Sequence, residues 1–179
     1  MLTIGIIFIG VVGTLLHFTY ELSSHNKLVA IFSAVNESTW EHIKIGMTPT
    51  FLWSLYDGFI YGSNSNYLIG KALSLLTIIL LIPLLFYTYT TFTKKSILVV
   101  DIISFMITVV ASNFVFNYFI KMDALPFLYT YLSSILLFLE IAAYVFLTFN
   151  PIKNFLFEDP ISHDYGLSGH TEMHHHDHK

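Results

Sequence analysis

The chain has 179 residues, 55% hydrophobic and 17% aromatic, with only 11% charged residues, a net charge of -4 and a mean hydropathy of +0.68. A water-soluble domain averages about 25% charged residues, so a soluble globular protein is excluded and lipid is the solvent for most of the chain. Eight lysines without a clustered basic face exclude nucleic acid as a partner, and the lack of cysteine excludes disulfides, thiolate catalysis and cysteine metal sites.

A membrane-spanning helix needs about 20 mostly apolar residues, and five segments qualify. The first runs from Leu2 to about Glu21; it has no basic start and no small-residue cleavage site, so it reads as a retained helix rather than a secretion signal. Between it and the second helix, residues 27–35 are apolar but too short to span, which fits an interfacial or re-entrant segment. The second helix, about Thr39 to Ile60, is the least apolar, with Glu41, His42 and Lys44 at its start and Asp57 near its end. Tyr67 to Phe92 and Ser96 to Ile120 are strongly apolar, and Pro83 is expected to kink the former. Pro126 to Phe149 opens with a proline suited to a first helical turn and stops before Asn150-Pro151. The expected fold class is all-α: a polytopic transmembrane bundle over residues 1–150, followed by a polar tail over 151–179. No internal repeat supports an inverted-repeat transporter.

Lysine placement predicts orientation. Lys27, Lys44, Lys94, Lys95, Lys153 and Lys179 fall on one side, and Lys71 and Lys121 on the other. The richer side is expected to be cytoplasmic, with the N-terminus outside and the C-terminus inside.

On that topology the ionisable residues converge on the inner half. His17 and Glu21 close the first helix, His25 follows, and Glu37, Glu41 and His42 open the second; Asp101 and Glu140 lie on the fourth and fifth. His17, Glu21 and His25 are spaced by four, so a continuing helix would stack them on one face. Imidazoles and carboxylates from neighbouring helices form a nitrogen and oxygen ligand set suited to zinc, iron or manganese. The predicted metal ligands are His17, Glu21, His25, Glu37 and His42, with Glu41 and Glu140 as the groups that move protons. Tyr20, Asn36, Ser38, Trp40 and Asp101 complete the polar neighbourhood. Plainer roles compete: Ser38 to Glu41 fits a capping box, Trp40 suits an interface, and Asn113 and Asn117 suit hydrogen bonding between helices. Glu140 resists a plain role best, because a carboxyl so deep in a membrane is costly and marks a functional site by default.

The tail ends in His170-Thr171-Glu172-Met173-His174-His175-His176-Asp177-His178-Lys179. Such a tract binds zinc, nickel or copper wherever they are present, and a sticky end is the simpler account of it.

The stretch His17-Phe18-Thr19-Tyr20-Glu21, His25 and the string Val35-Asn36-Glu37-Ser38-Thr39-Trp40-Glu41-His42-Ile43-Lys44, together with Leu156-Phe157-Glu158-Asp159-Pro160 and Tyr165-Gly166, resembles a family of small bacterial multi-pass membrane proteins of unknown function. The resemblance covers essentially the whole chain except the His-rich terminus. It carries over His17, Tyr20, Glu21, His25, Asn36, Glu37, Ser38, Trp40, Glu41 and His42, and implies an inner-membrane location but no activity.

Three functions remain open at this point. The first is a metal-dependent intramembrane enzyme hydrolysing an amphiphilic substrate near the inner leaflet. The second is a carrier or sensor for an ion, proton or small metabolite, which at this size would need to form a homo-oligomer. The third is a non-catalytic assembly partner.

Overall fold

The structure is a computed structural model and describes residues 2–160 and 162–167; the His-rich terminus lies outside the described residues. Five long helices make up the bundle: α1 (Leu2–Leu22), α2 (Thr39–Tyr61), α3 (Tyr67–Thr93), α4 (Leu98–Lys121) and α5 (Phe127–Phe149). Helices α1 to α4 pack as a ring, each against the next and α1 against α4, while α5 lies on α3. Among the described residues no strand forms, and the one backbone bridge joins Glu158 to Tyr165.

Four helices, α1, α3, α4 and α5, are long and apolar enough to cross a membrane. Their outward faces confirm the solvent. On α1, Ile4, Ile7, Val11, Leu15 and Phe18 recur at three- and four-residue spacing and are each more than half exposed, an apolar stripe that only lipid can cover without cost. The protein is an integral membrane protein.

Helix α2 is the exception in composition and the reason the ring holds together. At 23 residues it matches the others in length, yet it carries Glu41, Lys44, Thr48, Thr50 and Asp57, all buried. Packed against α1, α3 and α4, it hides its polar side chains from lipid, where each unpaired group would cost several kcal/mol. The neighbouring helix makes this possible by being thin: a side chain on Gly13 of α1 would meet the Ile45 carbonyl oxygen at 2.7 Å. Small residues allow this close backbone approach between membrane helices.

Each end of the bundle is latched by buried polar groups. At the end where α2 passes to α3, Asp57 forms an ion pair with Lys71 and accepts from the Tyr67 hydroxyl at 2.9 Å. Asn66 there donates to the carbonyls of Phe119, Met122 and Asp123 and accepts from the Leu125 N–H, tying the α2–α3 turn to the α4–α5 link.

At the opposite end, residues 23–38 fold back onto the bundle around a 3-10 turn, Val29–Ile31. Side chains from two helices, α2 and α5, hold their carbonyls: Lys44 donates to Ala30, Thr48 to Phe32 and Tyr144 to Ile31. Ser33, fully buried, donates to the Leu16 carbonyl at 2.6 Å. This is the short apolar segment expected between the first two helices, docked rather than spanning. The chain after α5 returns to the same end: the Trp40 N–H donates to the Leu156 carbonyl, Asn36 to that of Gly166, and the Phe157 ring lies 5.0 Å from Trp40.

Candidate metal centre

Three ionisable groups meet at this end, each supplied by a different local structure. His17 sits in the penultimate turn of α1. Glu37 precedes the cap of α2, and His42 lies in the first turn of α2. Asn36 forms the turn that places Glu37, its side-chain oxygen accepting from the Ser38 N–H at 2.9 Å, and Ser38 then caps the helix by accepting from the Glu41 N–H.

The His17 Nε2 lies 3.3 Å from one Glu37 oxygen, and the His42 Nε2 lies 3.9 Å from the other. One ligand atom from each residue falls within 4.8 Å of the other two. Ligands on a tetrahedral zinc ion, at bonds of roughly 2.0–2.2 Å, stand about 3.3 Å apart, so a cation would draw the set together by an ångström or so. The His42 Nδ1 is 2.9 Å from the Ser38 carbonyl. When it donates there, the Nε2 lone pair faces Glu37, the arrangement by which outer contacts orient metal-binding imidazoles. Hydrogen bonding from His17 holds the Glu37 carboxyl below its usual range, against the opposing effect of burial, so the acid is ionised and ready to accept a cation or a proton.

Two clefts border the cluster. An apolar one of about 110 Å³ is lined by His17 and His42 with Phe18, Leu98, Ile102 and Phe105, and Asp101 reaches it from α4. Asp101 is held by the hydroxyls of Tyr89 and Ser96. A wider cleft of about 270 Å³ opens beside Glu37 and is lined by Thr39, Tyr87, Phe155, Glu158 and His163.

The remaining predicted residues lie outside this group of three, although the Glu21 charge acts on His17. Helix α1 ends at Leu22, and Ser24 and His25 take left-handed backbone (φ 55° and 62°), so the four-residue register stops short of His25. Glu21 and His25 are exposed, and the His25 ring rests on the buried Tyr20. Glu41, 2% exposed, bonds the Lys44 ammonium at 2.8 Å and the Val35 N–H at 3.0 Å. Trp40 packs under the returning tail, its indole N–H without a hydrogen-bond partner among the described residues. Glu140 lies on α5, 5% exposed, and neither of its oxygens has a hydrogen-bond partner among the described residues. Sequence reasoning missed Tyr89 and Ser96, which fix Asp101, and Glu158 and His163, which face Glu37 only because the tail folds back. Nothing in the local sequence around 158–163 signals that return.

A five-helix membrane bundle with two imidazoles and a carboxylate gathered at one end defines the class of protein. The chain belongs to a family of unknown function, DUF6512, whose profile matches residues 1–167. No curated protein and no solved structure shows significant similarity to it.

Proposed function

We propose that the protein is a membrane metalloenzyme in which His17, Glu37 and His42 hold one divalent cation, of the zinc, iron or manganese type, for hydrolysis of an amphiphilic substrate. The observation that carries this is the convergence of two imidazoles and a carboxylate from α1 and from the start of α2 within 4.8 Å, with one imidazole oriented by a backbone carbonyl. Three protein ligands leave a coordination position for water, and a bound cation lowers the pKa of that water toward neutrality. Asp101, facing the same apolar cleft, is placed to take the proton. The water's hydroxyl goes to the scissile carbonyl or phosphoryl centre and its proton, through Asp101, to the leaving oxygen.

The proposal places this end of the bundle at the inner leaflet of a bacterial inner membrane. Lys44 and Lys71 are buried in ion pairs, so neither marks a side. Among the described residues, the exposed lysines that remain are Lys27, Lys94, Lys95 and Lys153 at the His17 end and Lys121 at the other, a bias that favours a cytoplasmic His17 end.

The test uses the full chain with His170, His174, His175, His176 and His178 replaced by serine. Elemental analysis is expected to find one divalent metal per chain, lost in His17→Ala and His42→Ala and kept in His25→Ala. Metal content that these substitutions leave unchanged overturns the proposal. A second reading rests on Glu140, whose buried carboxyl, without a hydrogen-bond partner among the described residues, suits a proton or cation carrier. It is favoured if no metal is found and Glu140→Gln abolishes a pH-dependent flux in liposomes.

A further inference from the structure

The two clefts differ in chemistry and meet at the histidine–carboxylate cluster. His17 and His42 line the apolar one, whereas Glu37 lines the wider one. The wider cleft has an aromatic wall. The Tyr87 ring stands edge-on to Phe155 with centroids 5.2 Å apart, and its hydroxyl donates to the Phe155 carbonyl at 2.9 Å and lies 2.9 Å from the Thr39 hydroxyl. These contacts hold the Tyr87 ring in place before any ligand arrives. Two carboxylates, Glu37 and Glu158, share the cleft, and among the described residues no lysine lines it. Its one basic side chain, His163, is engaged by Glu158 at 2.9 Å.

Aromatic faces combined with carboxylates recognise ammonium and quaternary ammonium groups. Apart from the cation proposed at the cluster, a purely anionic headgroup would find no basic side chain among the described residues of this cleft that is not already engaged by a carboxylate. The apolar cleft on the other side of the cluster accepts an alkyl or acyl chain. We infer that the wider cleft seats the ammonium headgroup of an amphiphile whose chain lies in the apolar cleft, so that the headgroup linkage crosses the His17–Glu37–His42 cluster. This rests on the proposed metal site for its chemistry, but the binding can be tested separately.

Short-chain lipids that share a phosphate and differ in the ammonium give the cleanest probe. Dihexanoyl phosphatidylcholine and dihexanoyl phosphatidylglycerol, each below its micelle concentration, are titrated into the full chain in maltoside micelles. The choline lipid is expected to bind about tenfold more tightly, a difference of 1.4 kcal/mol. Glu158→Gln and Phe155→Ala should shrink that preference to less than threefold while leaving metal content as in the parent. Phe155 is 70% exposed and the Gln is isosteric, so both variants are expected to fold, which melting curves check. Glycerophosphocholine, which has no chains, should bind at least tenfold more weakly than the choline lipid; equal binding would overturn the amphiphile assignment in favour of a free ammonium metabolite. Equal affinity for the two lipids, or a preference that both substitutions leave intact, overturns the headgroup assignment. Loss of metal in His17→Ala with the lipid preference retained supports the headgroup site independently; absence of metal from the parent with the preference retained would overturn the metalloenzyme and leave the cleft standing.

Discussion

Glu37 and Glu41 stand four residues apart in one motif, yet the backbone sends them to different tasks. The cap of α2 falls between them, at Ser38. Glu37, before the cap, faces His17 and His42, and Glu41, inside the helix, turns to Lys44 and the Val35 N–H. Removing one partner of a fully buried pair leaves an uncompensated charge and costs about 3–5 kcal/mol. Glu41→Ala is therefore expected to lower thermal stability by that order while the folded fraction retains its metal; loss of metal at unchanged stability would instead place Glu41 in the centre. Glu37 carries a pH signature in the metal-free protein. Its folded pKa lies below its unfolded one because of the hydrogen bond with His17, so its contribution is present above the unfolded value and disappears as pH falls through the folded one. Thermal melts should show Glu37→Gln less stable than the parent at neutral pH and indistinguishable from it once the pH is well below the carboxylate range of about 4. A difference that persists into strong acid would contradict this. The sequence makes His17, Glu37 and His42 legible as ligand types, since imidazoles and acids concentrate where α1 ends and α2 begins. It does not separate them from Glu21 and His25, because that choice depends on α1 stopping at Leu22 and the chain reversing through left-handed Ser24 and His25.

Helix boundaries in lipid follow from apolar run length, and for that reason the five helices are readable from composition to within a few residues. What composition conceals is which helix is central. Helix α2 has the weakest apolar signal because its first half is buried in protein, where Thr48 and the Glu41–Lys44 pair are met by the docked segment before it. Its seat depends on Gly13. A methyl there would meet the Ile45 carbonyl oxygen at 2.7 Å and the Phe105 ring at 2.6 Å, and a backbone oxygen cannot swing aside as a side chain can. Gly13→Ala is expected to cost about 1–3 kcal/mol by overpacking and, since His17 lies one turn further along α1, to weaken metal binding as well. Thermal unfolding and metal content measured on the same sample check both; an unaffected melting point would mean that α1 and α2 are further apart than described.

For the whole molecule, the residues that line the candidate centre and its clefts come from distant parts of the chain: α1, the cap of α2, α4 and the returning residues Phe155, Glu158 and His163. Helix α5 delivers those returning residues to the His17 end, and the lysines left exposed there set its expected side of the membrane. The chain has no cysteine, so single introduced cysteines report topology against a zero background. Lys95→Cys is expected to react with a membrane-impermeant thiol reagent only from the cytoplasmic face, and Ser63→Cys, in the exposed turn after α2, only from the outside; the reverse pattern would move the site to the outer leaflet. The most direct measurement of the centre is X-ray absorption on the zinc-loaded full chain with its terminal histidines replaced by serine. The expected first shell has two imidazole nitrogens at about 2.0–2.1 Å with carboxylate and water oxygen completing it, and the imidazole signal should fall by half in His42→Ala or vanish with the zinc. An all-oxygen shell, or a spectrum that His17→Ala and His42→Ala both leave unchanged, would contradict the assignment.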